Sequence, residues 1–198
     1  MRSCLTILFT RSLLVSILFS LPGAASDLLL EARASYFYPL DERFRESCPG
    51  GGMYGLEFDY PIYRPLFGWA EVDYFYQNGH TQGDHDSTHL DMMKYSLGLK
   101  YIYRAHRFQP YVGFGPLATW VHTHVDSSFL IRSESRWGMG FLAKGGLFIL
   151  IAKSCFIDLF TDYSWQKINF KRKNGKKVLI HNADVSGLSF GGAIGYEF

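Results

Sequence analysis

Beyond its N-terminus the chain lacks any run of the ~20 consecutive apolar residues that a membrane helix needs, although hydrophobic residues make up 47% of it. Membrane crossing, if it occurs, must use strands. An excess of charge is missing as well. The 198 residues carry 20 Lys and Arg against 18 Asp and Glu. Setting aside residues 1–26 removes only Arg2 and Arg11, which leaves 18 of each sign. A chain so balanced has no electrostatic footprint for nucleic acid, which is excluded as a main partner. Cysteine is scarce at three residues, and Cys4 lies too far ahead of the apolar N-terminal stretch to be a lipid attachment site.

That stretch reads as a secretory signal. Arg2 and Arg11 precede an apolar run from Ser12 to Leu21, and Pro22 to Ser26 offer small residues for cleavage near Ala25 or Ser26. The run is too short for an anchor, and strand-like sequence follows it. Two units are therefore expected: a cleaved signal peptide over 1–26 and a single domain over 27–198.

Aromatics at 17% and 20 glycines are abundant, and they are arranged in alternation. The last fifteen residues, Asp184 to Phe198, show the pattern most clearly. Leu188, Phe190, Ile194, Tyr196 and Phe198 share one face, while Ser189, Gly191, Ala193, Gly195 and Glu197 share the other. A period of two is that of a strand.

The segment L-S-F-G-G-A-I-G-Y-E-F resembles the C-terminal strand of small bacterial outer-membrane β-barrels, of the outer-membrane protein A or X type. That resemblance implies that Phe198, Tyr196, Ile194 and Gly192 are read by the barrel-insertion machinery. It also implies location in the bacterial outer membrane, with outer-membrane lipid around the wall.

Seven further alternating segments precede the closing one, near 28–38, 53–63, 67–77, 89–103, 109–121, 137–150 and 155–168. Short links at 64–66, 104–108 and 151–154 alternate with long polar stretches at 39–52, 78–88, 122–136 and 169–183. The fold expected is all-β: an eight-stranded antiparallel up-and-down transmembrane β-barrel, its short turns periplasmic and its long loops outside. Asn174-Gly175 marks a hairpin tip within the last of those loops. Cys48 and Cys155 fall at opposite ends of such a barrel, beyond the ~4.4–6.8 Å α-carbon spacing of a disulfide. Free thiols or an intermolecular bond remain open to them.

Alternation leaves two options for the greasy face, a lipocalin-like interior or a lipid-facing exterior. Aromatics bracket that face, with Tyr36, Tyr38, Tyr74, Tyr76, Trp120, Trp137 and Trp165 near one end and Tyr60, Tyr101, Tyr103, Tyr196 and Phe198 near the other. Such a double girdle belongs at two water interfaces. The opposite face carries the acids Glu31, Glu57, Asp59, Glu71, Asp73, Asp158 and Asp162, the bases Arg33, Lys94, Lys100 and Lys144, and many glycines. Charges of both signs neutralise one another inside a narrow lumen, whereas on a lipid face they cost several kcal/mol each. The exterior reading follows.

Two motifs mislead. Gly187-Leu188-Ser189-Phe190-Gly191 has the letters of a nucleophile elbow, but that device needs a sharp strand-to-helix turn and here lies within the closing strand. Gly113-Phe114-Gly115-Pro116-Leu117-Ala118 resembles a dinucleotide fingerprint without the helix that would meet a pyrophosphate. No cofactor is expected.

Six histidines, His80, His85, His89, His122, His124 and His181, map to the long-loop end near Asp84, Asp86 and Asp91. They have the side chains of a divalent-metal site but no recurring spacing, and the reading adopted is polar loops that happen to be histidine-rich. Lys171 to Lys177 form a basic hairpin tip, a solvated turn or a contact for anionic lipid, surface glycan or a host molecule. The function expected is an envelope structural or surface-interaction role. Its alternatives are a narrow pore and a lipid-modifying enzyme, which would need a Ser and a His side by side on the lipid-facing wall.

Overall fold

The computed structural model describes residues 27–47, 49–80, 87–127, 130–174 and 177–198. Nine strands are found among them: β1 (Leu29–Pro39), β2 (Gly51–Tyr63), β3 (Leu66–His80), β4 (Ser87–Ile102), β5 (Phe108–Ser127), β6 (Leu130–Leu150), β7 (Cys155–Asn174), β8 (Lys177–Asp184) and β9 (Gly187–Glu197). A short helix, α1 (Glu42–Ser47), lies between β1 and β2.

Each of the first seven strands pairs antiparallel with the next. β9 then pairs with both β7 and β1, closing the sheet into a ring of eight positions. Closure leaves no edge in the ring, so every ladder amide has a partner without water. The first and last residues of the ring meet where the Phe198 amide donates to the Leu28 carbonyl at 2.9 Å.

Burial alternates along the strands with the expected phase. In β1 Leu29, Glu31, Arg33 and Phe37 are buried while Leu30 and Tyr36 are exposed. The outward set forms a continuous apolar wall in which Leu56 is 59% exposed and Ile194 72%. An apolar band of that size is insoluble in water and is the surface a bilayer solvates. The helix α1 is too short to cross; the strands do.

Two of the stretches read as long loops, 122–136 and 169–183, are largely strand. β5 and β6 stay paired up to Ser127↔Leu130, seven residues past the Trp120↔Trp137 pair of the outer girdle. At ~3.3 Å per residue that is roughly 23 Å of sheet beyond the membrane rim. β3 and β4 continue to His80↔Ser87, and β7 and β8 form a hairpin up to Asn174↔Lys177. Mostly polar residues paired as strand look like loop to a hydropathy reading, because they carry no regular apolar alternation. The fourth stretch contains α1, whose first turn is capped by the Asp41 carboxylate accepting from the Phe44 amide at 2.9 Å.

The closing segment is also more divided than its alternation implied. Pairing of β6 with β7 stops at Met139↔Lys167 and that of β1 with β9 at Pro39↔Gly187, so the β7–β8 hairpin rises alone. Val185 and Ser186 break the strand between β8 and β9. There the Ser186 hydroxyl accepts from the Gln166 amide at 3.0 Å, and the Asp184 carboxylate accepts from the Ser186 amide at 2.9 Å. The register with β7 is unchanged across the break, from Lys167↔Asp184 to Ser164↔Gly187, so the two strands follow one course interrupted where the hairpin departs from the ring.

Candidate functional site: a sealed lumen and an outer rim

All eleven lumen charges inferred from the alternation are buried inside the ring. Arg33 from β1 donates to Glu57, Glu71 and, at 2.6 Å, Asp162. Lys144 from β6 bridges Glu57 and Glu71, the latter at 2.8 Å. Lys100 from β4 donates to Glu57 and, at 2.9 Å, to Asp59, with Glu31 at 3.6 Å. Tyr111 donates to Asp158 at 2.7 Å.

Aromatic faces complete the solvation of the cations. Arg33 lies 3.7 Å from the ring centre of Phe160, Lys94 3.7 Å from that of Phe37 and Lys144 4.1 Å from that of Trp69. Oxygens of Glu31, Glu57 and Asp59 come within 4.8 Å of one another. The cation among them is the Lys100 ammonium.

The sequence reading missed what lies above and below this charged layer. Toward the short turns Leu29, Phe67, Ile102, Phe148, Phe156 and Phe160 pack into an apolar floor. Toward the outer end Phe37, Met53, Phe75, Met92, Val121, Ile168 and Val185 form a ceiling, with Phe44 of α1 packed against it. The signal was present, since Phe37 is in phase with Arg33, Phe67 with Glu71 and Phe156 with Asp158. Large apolar side chains at inward positions have the same chemistry as wall residues, so composition alone does not set them apart. Glycine makes room for them: a side chain at Gly146 would come within 2.6 Å of the Tyr111 ring, and one at Gly195 would overlap Phe156.

At the short-turn mouth Asp27 pairs with Arg64, and Arg104 bridges Asp27 at 3.4 Å and Glu197 at 3.0 Å. The hydrogen bond and charge of Asp27 raise the Arg64 guanidinium above its ordinary pKa. Phe198, Tyr196 and Ile194 are exposed on the outward face of β9, which Gly192 shares, and the Tyr196 and Phe198 rings meet edge to face at 4.8 Å. Cys155 is exposed with a free thiol at the same end, while Cys48 lies outside the described residues. Ser189 is buried within β9, on continuous strand rather than on a turn.

At the opposite rim the histidines are mostly not in loops. His80, His89, His122, His124 and His181 fall within strands; His85 and the tip at 175–176 lie outside the described residues. Tyr76, Asp91, His122 and Ser135 are successive cross-strand neighbours on β3 to β6. All four positions are outward, since Met92, Val121 and Phe75 beside them are buried. His122 Nδ1 and Ser135 Oγ are 2.7 Å apart, the Tyr74 hydroxyl donates to Asp91 Oδ1 at 2.7 Å, and Trp120 stacks on the His122 ring at 5.6 Å. A Ser and a His therefore do stand side by side on the outward face, though beyond the girdle rather than on the lipid-facing wall that the enzyme reading requires. Their amides belong to a straight ladder, which leaves no converging pair to hold an oxyanion.

A closed antiparallel ring of eight strands, greasy outside and charged within, is the fold of the small outer-membrane barrels of Gram-negative bacteria. Solved structures of that class superpose on the chain. The outer membrane protein OprG from Pseudomonas aeruginosa matches with a TM-score of 0.61 at 14% identity, covering 89% of this chain and 97% of its own. Neisserial surface protein A matches at 0.55 and 15%, covering 86% and 97%. Ail, the attachment invasion locus protein of Yersinia pestis, solved in complex with the heparin analogue sucrose octasulfate, matches at 0.51 and 16%, covering 87% and 97%. No protein-family model matches the sequence, and no curated protein is similar to it.

Proposed function

We propose that the chain is a non-conducting barrel of the bacterial outer membrane whose work is done by the sheet it carries beyond the rim. The observation that carries this reading is the stacking of a cross-linked charged layer between an apolar floor and an apolar ceiling. A lumen so filled serves as a rigid anchor. Enzyme chemistry draws no support from the neighbours in fold, which bear the names of surface and outer-membrane proteins.

Residues 1–26 act as the cleaved signal peptide in this reading. Phe198, Tyr196, Ile194 and Gly192 present the outward face that the insertion machinery grips before closure. The β7–β8 hairpin is the surface-binding element, because Lys171, Arg172, Lys173, Lys176 and Lys177 concentrate at its end. Ail's solved complex with a sulfated sugar shows a polyanion held by a barrel of this shape, and a basic tip on this chain fits an anionic surface glycan by charge.

Replacing Lys171, Arg172 and Lys173 together by Glu is expected to weaken retention on immobilised heparin at least tenfold. The wild-type interaction should also weaken steeply between low and physiological salt. Equal retention of both proteins would reject the glycan contact.

A further inference from the structure

We propose that the short-turn end of the barrel holds the phosphate of an anionic phospholipid between Arg107, on the link from β4 to β5, and Lys153, on the link from β6 to β7. The backbone ties the two links together, since the Leu150 amide donates to the Arg107 carbonyl at 3.0 Å. The amides of Ile151 and Ala152 both donate to the Cys155 carbonyl, at 2.9 and 3.1 Å, which folds the second link into the tight turn that carries Lys153. Charge at this end is unequal. Arg64, Arg104, Arg107 and Lys153 face only two acids among the described residues there, and both are taken: Asp27 by Arg64 and Arg104, Glu197 by Arg104. Arg107 and Lys153 are exposed, and neither has an ion pair or a side-chain hydrogen bond among the described residues.

The surroundings of the two cations say what kind of anion fits. Beside them runs the last outward row of the wall, Phe108, Ile149 and Ile157, successive cross-strand neighbours on β5, β6 and β7. Phe108 and Ile157 are exposed, as is Ile151 in the same turn as Lys153. A soluble anion or a glycan would leave these apolar side chains in water. An amphiphile covers both surfaces at once, its phosphate on the cations and its chains along the row. The depth is right for that, because Tyr101 and Tyr103 of the girdle are exposed on the adjoining end of β4, at the level where headgroups meet acyl chains. A guanidinium grips both free oxygens of a phosphodiester with its fork of donors, and an ammonium adds a point charge beside them. Arg64 and Arg104 do not serve in the same way, since each already faces a carboxylate.

The test is native mass spectrometry of the full mature chain, folded in detergent and incubated with equal amounts of phosphatidylglycerol and phosphatidylcholine of the same chain length. The two lipids share a phosphate and differ in whether a choline cation offsets it. The wild-type barrel is expected to retain phosphatidylglycerol at least fivefold over phosphatidylcholine, about the factor that one surface cation supplies. Arg107→Gln with Lys153→Gln should bring the ratio near one, and Arg107→Glu with Lys153→Glu should reverse it. Arg64→Gln, which removes a base already paired with Asp27, should leave the preference within about twofold of wild type. Glycerol 3-phosphate, a headgroup without chains, should not displace the lipid at equal concentration. Each variant is checked for heat-modifiable mobility. Equal retention of the two lipids by wild type, or a preference that survives in both double variants, overturns the proposal. So does a wild-type barrel that lacks the preference yet cosediments with purified peptidoglycan through Arg107 and Lys153, which would make this end a cell-wall contact.

Discussion

Lys100→Met is expected to destabilise the folded barrel by about 3–5 kcal/mol, the cost of leaving buried carboxylates without their cation. Lys100 is fully buried and is the shared partner of Glu57, Asp59 and Glu31. The layer holds seven carboxylates, Glu31, Glu57, Asp59, Glu71, Asp73, Asp158 and Asp162, against Arg33, Lys94, Lys100 and Lys144. Acids therefore already outnumber bases, and removing an ammonium widens the imbalance where no water can relieve it. Adding Glu31→Gln and Asp59→Asn to Lys100→Met removes the orphaned charges, and most of the lost stability should return. Equilibrium unfolding in urea from lipid vesicles, followed by tryptophan fluorescence, measures both. A single variant within about 1 kcal/mol of wild type would mean that the pairs contribute little and that packing alone holds the lumen.

The second large effect is expected on the other face. Leu56→Arg places a charge between the two girdles, where its outward cross-strand neighbours are Ala32 and Val72. Arginine there is expected to cost about 2–4 kcal/mol, falling to about 0–1 kcal/mol for Tyr63→Arg at the strand end. Tyr63 is 78% exposed and Leu56 59%, so in water both positions would accept a charge at little cost. Depth in a bilayer is what separates them. Equal costs at the two positions, in the same unfolding assay, would argue that the wall is not in lipid.

The alternation that reveals the strands also reveals which charges enter the lumen, because period two assigns every polar residue of a strand to one side. Glu57 with Asp59 and Asp158 with Asp162 needed no more than that. Which cation each acid meets was not legible. Arg33 reaches Asp162 across 129 residues of sequence, a pairing set by ring closure and stagger rather than by any local pattern. The apolar floor and ceiling were written in the same phase as the charges, yet Phe67, Phe75 and Phe156 have the chemistry of wall residues and only their register shows that they point in. The outer hairpins stayed hidden for the converse reason. Mostly polar in sequence, β5 beyond Val121 and β6 before Trp137 lack the regular apolar alternation that betrays a strand. The pairing of Asp91 with His122 was lost with them.

The sealed lumen is the claim on which the functional reading turns, and current through a planar bilayer tests it most directly. Wild-type barrels inserted at high salt and held under an applied voltage should give a flat trace, with insertion verified by heat-modifiable mobility of protein recovered from the same vesicles. Discrete, reproducible conductance steps from that folded protein would show an open path through the charged layer and would contradict the account.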